Sequence, residues 1–127
     1  MTPRTVERSF ECLMASAQRV RMFVSDVLGR WLMGELADDV VLIADELATN
    51  AVIHARSDYV VRLHRREASV RLEVEDTSPE PPQIRTSSPL ATGGRGLVLV
   101  DALAADWGWD VRDGGKSVWV EISTRIA

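Results

Sequence analysis

With 127 residues, 46% of them apolar and 27% charged, the chain is sized for one domain (residues 1–127) with a real hydrophobic core. A formal charge of −4 and a pI near 5.1 argue against a nucleic-acid binder, which would normally show a basic face. One cysteine, Cys12, and two histidines, His54 and His64, exclude an internal disulfide and any zinc-ligand spacing.

No apolar run approaches the roughly 18 residues of a membrane span. The opening Met-Thr-Pro-Arg leads into no apolar signal segment, so a cytoplasmic protein is expected. Residues 1–6 read as a loose tail, and Arg8–Leu13 as a short first strand. Cys12 suits a small buried hydrophobe better than a nucleophile. Ser16–Met33 reads as a helix, with Val20, Phe23, Val24, Val27, Leu28 and Trp31 on one stripe. Gly34 breaks it. Glu35, Asp38 and Asp39 then load the start of a second helix with the negative charge its dipole favours, and the helix is expected to run to about His54.

That second helix carries the phrase Glu46-Leu47-Ala48-Thr49-Asn50-Ala51. Val40, Ile43, Leu47 and Ala51 keep a core-facing spacing, and Glu46 and Asn50, four apart, share one face about one turn apart. A general base one turn from a hard oxygen ligand suits Mg²⁺-dependent phosphoryl chemistry. Two ordinary polar residues on a solvated face are the plain alternative.

From Asp58 the period changes to two. Tyr59, Val61 and Leu63 alternate with polar positions, Glu67-Ala68 turns the chain, and Val70, Leu72 and Val74 alternate in a second strand, predicting an antiparallel hairpin. Asp76 keeps the parity of Val70, Leu72 and Val74. If the strand extends that far, its carboxylate points into the layer between sheet and helices, where a donor must meet it. An amino edge such as that of adenine would serve. If the strand ends at Glu75, Asp76 instead begins an Asx-type turn with Thr77 and Ser78.

Thr77 to Thr92 has no period and carries prolines at 79, 81, 82 and 89, the character of a lid or binding loop. Gly93-Gly94-Arg95-Gly96 then opens a third helix through about Ala105. Its glycines permit close backbone approach and its free N–H groups suit phosphate, although a flexible helix entry would look the same. It is neither a Walker A loop nor a Rossmann fingerprint. Strands over about Asp106–Arg112 and Lys116–Ser123 are joined at Asp113-Gly114-Gly115. This order predicts an α/β (α+β) two-layer sandwich, with helices on one face of a mostly antiparallel sheet.

A Glu-x-x-x-Asn helix, an inward Asp at a strand end, a long loop and a Gly-rich helix start, in that order, resemble the Bergerat-fold ATP-binding domain. The phrases Asp-Glu-Leu-Ala-Thr-Asn-Ala-Val-Ile-His-Ala, Gly-Gly-Arg-Gly-Leu-Val-Leu-Val and Gly-Gly-Lys-Ser-Val-Trp look most like the anti-sigma-factor serine/threonine kinases and related bacterial regulators. The resemblance spans about residues 10–123.

It implies ATP and Mg²⁺ as cofactors, with Asn50 holding Mg²⁺ and Glu46 as the catalytic base. Asp76 would accept from the adenine amino group. Gly93, Gly94 and Gly96 would cradle phosphates, Arg95 would add charge there, and residues 77–95 would form the lid. The implied partners are a sigma factor and an anti-anti-sigma-type antagonist. A homodimer is a common state in this branch, and neither nucleic acid nor membrane is implied. Three departures stand out. His54, one turn beyond Asn50, suits a helix C-terminus interacting with the dipole better than a place in the site. Asp76-Thr77-Ser78-Pro79-Glu80 lacks both glycines of the fold's Asp-x-Gly-x-Gly, which predicts a stiffer loop and weaker affinity. Lys116 stands where many members carry threonine. A nucleotide-responsive module that sequesters its partner without catalysis is the rival reading.

Overall fold

The computed structural model describes residues 3–82 and 103–123. Five strands form one sheet: β1 (Thr5–Phe10), β2 (Tyr59–Arg65), β3 (Ser69–Asp76), β4 (Asp106–Arg112) and β5 (Gly115–Ser123). The spatial order is β1-β2-β3-β5-β4, and every neighbouring pair is antiparallel. Helices α1 (Ser16–Arg30) and α2 (Ala37–Asn50) pack against each other on one face. The expected two-layer arrangement is the observed one, with the central pair β3–β5 holding the middle of the core.

The core follows from patterning. Val20, Phe23, Val24, Val27 and Leu28 of α1, and Val40, Ile43, Ala44, Leu47 and Ala48 of α2, are buried at helical spacing. They meet the inward rows Val61-Leu63, Val70-Leu72-Val74 and Val118-Val120-Ile122. The register places Leu63 opposite Leu72, Leu72 opposite Val120, and Val74 opposite Val118, so one apolar row crosses the three central strands. The opposite face is a charged lattice. Glu73 accepts from Arg71, His64 and, at longer range, Arg62, while Arg71 lies over the Trp119 ring.

Three boundaries differ from the sequence expectation. β1 begins at Thr5 and ends at Phe10, where residues 1–6 were expected loose and the strand was expected over Arg8–Leu13. Only Phe10 of this edge strand is fully buried, so pairing with β2 holds it and no alternation marks it. Helix α1 stops at Arg30. Leu32 N–H donates to Gly29 O and Met33 N–H to Leu28 O, which caps the helix with Leu32 left-handed at φ 58°. The second helix is not continuous from Glu35 to His54. A 3₁₀ turn (Gly34–Leu36) precedes α2, and a π-helical turn (Ala51–Ala55) follows it. Of the third helix expected from Gly93 to about Ala105, the part through residue 102 lies outside the described residues.

Candidate functional site

A cavity of about 80 Å³ lies where the end of α2 meets the ends of β3 and β5. Leu47, Asn50 and Ala51 line it from the helix side, Val74 and Val118 from the sheet, and Asp76 and Lys116 close one end. The segment after β3 contributes Ser78, Glu80, Pro81 and Pro82. Ligand pockets are usually about 300–1,000 Å³, so this cavity by itself would hold only part of a nucleotide.

Helix α2 aims Asn50 at the cavity because it follows the buried Leu47 by three positions and so flanks the stripe that seats the helix on the sheet. The helix then widens. Arg56, left-handed at φ 53°, donates its N–H to Ala51 O across five residues, which closes the π turn. Such turns recur at functional sites because one extra residue re-aims the side chains around it. Here it brings His54 and Ala55 onto the cavity wall, so His54 lines the site in addition to ending a helix.

Both polar atoms of the Asn50 side chain, Oδ1 and Nδ2, are buried without a hydrogen-bond partner among the described residues. A buried amide in that state costs about 1–3 kcal/mol. The donor set therefore fits a ligand-supplied partner, and Oδ1 is the kind of hard oxygen that Mg²⁺ takes. Among the described residues no cluster of three His, Cys, Asp or Glu side chains could hold a metal by itself. Glu46 is half-buried one turn earlier on α2 and lies outside the cavity lining.

Asp76 takes the inward reading of its position, and the strand does not end at Glu75. Strand β3 extends to it and it is buried, 7% exposed, with the parity of Val70, Leu72 and Val74. It also makes the Asx-type turn, accepting from Ser78 N–H at 2.9 Å. The required donor is present within the chain. Lys116 Nζ lies 3.0 Å from Oδ2 and 3.1 Å from Oδ1, with a longer contact of 3.4 Å to Ser78 O.

Lys116 is the residue that sequence reasoning undervalued. It shares parity with Val118, Val120 and Ile122, so its inward direction was legible. Its partner was not, because only the β3–β5 register places it directly opposite Asp76. Gly115 makes this approach possible: a Cβ there would fall on the Asp76 backbone carbonyl. Gly93, Gly94, Arg95 and Gly96, with residues 83–95 of the expected lid, lie outside the described residues.

The family profile described as the histidine kinase-like ATPase domain matches residues 10–122, almost the whole chain. The chain belongs to this family. No curated protein matches it significantly. Among solved structures, the RsbU and RsbW domains of a Mycobacterium tuberculosis protein superpose with a TM-score of 0.72 at 20% identity. That alignment covers 96% of this chain and 32% of that one, so this chain spans about a third of its length. The histidine kinase domain of a blue-light activated histidine kinase from Erythrobacter litoralis aligns with a TM-score of 0.54 at 22% identity, over 96% of this chain and 69% of that one. At these identities the two structures show a shared fold. Family membership indicates an ATP-binding fold. Among the described residues no helix is long and apolar enough to cross a membrane.

Proposed function

We propose that this domain binds Mg²⁺-ATP at the α2–β3–β5 cavity and transfers the terminal phosphoryl group to a serine or threonine of a partner protein. The observation that carries the reading is the buried Asn50 carboxamide, without a hydrogen-bond partner among the described residues, on the wall of the cavity that Asp76 also lines. Asn50 Oδ1 would hold the cation, whose chemistry is to neutralise charge on the phosphates. Asp76 would accept from the base, while Val74 and Val118 would form an apolar floor beneath it. Glu46, one turn before Asn50, would take the proton of the attacking hydroxyl. General-base assistance of this kind is typically worth about 10²–10⁴-fold in rate. Gly93, Gly94 and Gly96, with Arg95, would receive the phosphates at a helix start. The partner would be an anti-anti-sigma-type antagonist, with a sigma factor as the alternate partner in a binding switch.

The test is a pair of variants assayed for ATP binding and for labelled-phosphate transfer to candidate antagonists. Glu46→Ala should retain binding and lose at least about a hundredfold in transfer. Asn50→Ala should lose both. Transfer by Glu46→Ala at the wild-type rate would remove Glu46 from the role of base.

A specific observation favours a second reading, in which the domain sequesters a partner without catalysis. The Asp76–Lys116 pair and the Pro81-Pro82 segment narrow the cavity to about 80 Å³. A wild-type protein that binds its partner and never phosphorylates it would establish that reading instead.

A further inference from the structure

The nucleotide reading leaves Lys116 without a task, yet the residue is only 6% exposed and lines the cavity where a base would sit. We propose that Lys116 reads the nucleobase directly, donating to the ring nitrogen beside the amino group that Asp76 accepts. The proposal rests on the nucleotide reading and adds the residue that sets base specificity.

Hydrogen-bond capacity supports it. An ionised carboxylate offers about four lone-pair positions. Asp76 Oδ1 already accepts from Ser78 N–H and Lys116 Nζ, and Oδ2 accepts from Lys116 Nζ. One acceptor position remains, on Oδ2. The weakest Lys116 contact, 3.4 Å to Ser78 O, is the one an incoming acceptor would displace. The end of the cavity therefore presents one open acceptor beside one releasable charged donor.

The adenine edge has the complementary pair, an amino N–H beside the N1 acceptor. Guanine presents one acceptor beside two N–H donors on the corresponding edge, so one donor would be buried unpaired, and such groups are costly. Register fixes the two protein groups side by side, because Asp76 and Lys116 are cross-strand partners and Gly115 lets the strands close.

The experiment is calorimetry of the wild-type chain with Mg²⁺ and four probes: ATP, 1-deaza-ATP, purine riboside triphosphate and GTP. ATP should bind best. 1-Deaza-ATP, which lacks the N1 acceptor, should lose about 10–100-fold, the range for a hydrogen bond from a charged donor. Purine riboside triphosphate, which lacks the amino group, should lose a comparable factor through Asp76, and GTP should bind at least tenfold more weakly than ATP. In Lys116→Met the penalty for 1-deaza-ATP should vanish. The double variant Asp76→Asn with Lys116→Met leaves no unpaired charge and gives the same ratio should the single variant unfold. Equal binding of ATP and 1-deaza-ATP by the wild type, or GTP binding as tightly as ATP, overturns the role of Lys116 and leaves the nucleotide reading intact. No ATP binding at millimolar concentration overturns the nucleotide reading itself.

Discussion

Removing the Lys116 ammonium is the sharpest structural perturbation available in this fold. Asp76 and Lys116 are 7% and 6% exposed, and the ammonium lies 3.0–3.1 Å from both carboxylate oxygens. In Lys116→Met the carboxylate keeps the Ser78 N–H and loses its cation. Breaking a buried pair from one side typically costs about 3–5 kcal/mol. The adjoining cavity admits some hydration, which points to the lower end, about 3 kcal/mol. Asp76→Asn strands the ammonium, although the amide oxygen and Ser78 O still accept from it, so about 2 kcal/mol is expected. The double variant removes both charges, leaves the amide oxygen to accept from Ser78 N–H, and should lie within about 1 kcal/mol of wild type because no unpaired charge stays buried. Urea denaturation of the four proteins at constant slope closes the cycle. Single-variant costs below about 1 kcal/mol that simply add in the double would show that the pair is solvated and refute the burial argument.

Leu32 is left-handed and 89% exposed at the end of α1, so Leu32→Gly should stabilise the fold by about 1 kcal/mol in the same denaturation assay, with no apolar packing lost. Burial pushes the Glu73 carboxyl up, but the Arg71 hydrogen bond and the charges of His64 and Arg71 outweigh it and hold the group below its ordinary value. Its stabilising contribution is therefore present above the unfolded-state pKa and disappears as pH falls through the lower folded one. Glu73→Gln should accordingly flatten the acid limb of stability measured against pH. ATP should slow hydrogen exchange at the Thr77, Ser78 and Glu80 amides, since binding would order the segment that carries them; exchange unchanged by saturating nucleotide would count against that ordering.

Much of the fold was legible because burial imposes periodicity. The stripes from Val20 to Trp31 and from Val40 to Ala51 are buried as expected, and the parity of Asp76 in β3 gave its inward direction. Less was legible where non-local pairing decides. A first strand was expected at Arg8–Leu13, but its bounds, Thr5–Phe10, are set by pairing that puts Arg8 opposite Val61 and Phe10 opposite Tyr59. The switch to π geometry after Asn50 depends on how Arg56 reaches back to Ala51, a contact without a sequence signature. At the site, residue types and directions were readable, while the partner of Asp76 was not. A buried carboxylate states that a donor is needed, and only the strand register says which residue supplies it.

The β3–β5 register also bears on the order of folding. Asp76 and Lys116 are forty positions apart in the chain, and they meet only after the intervening segment has closed. Hairpin β2–β3 and the α1–α2 pair can form from nearer contacts, so β5 docking, like the pairing of β1 with β2, carries a large loop-closure entropy. The cavity loses a wall in any intermediate lacking β5. A ligand of this cavity would accordingly bind the finished fold and no earlier species. Its binding would raise global stability by the full mass-action term, about 2.7 kcal/mol at a hundredfold excess over Kd. It would slow unfolding to the extent that β5 detaches before the transition state.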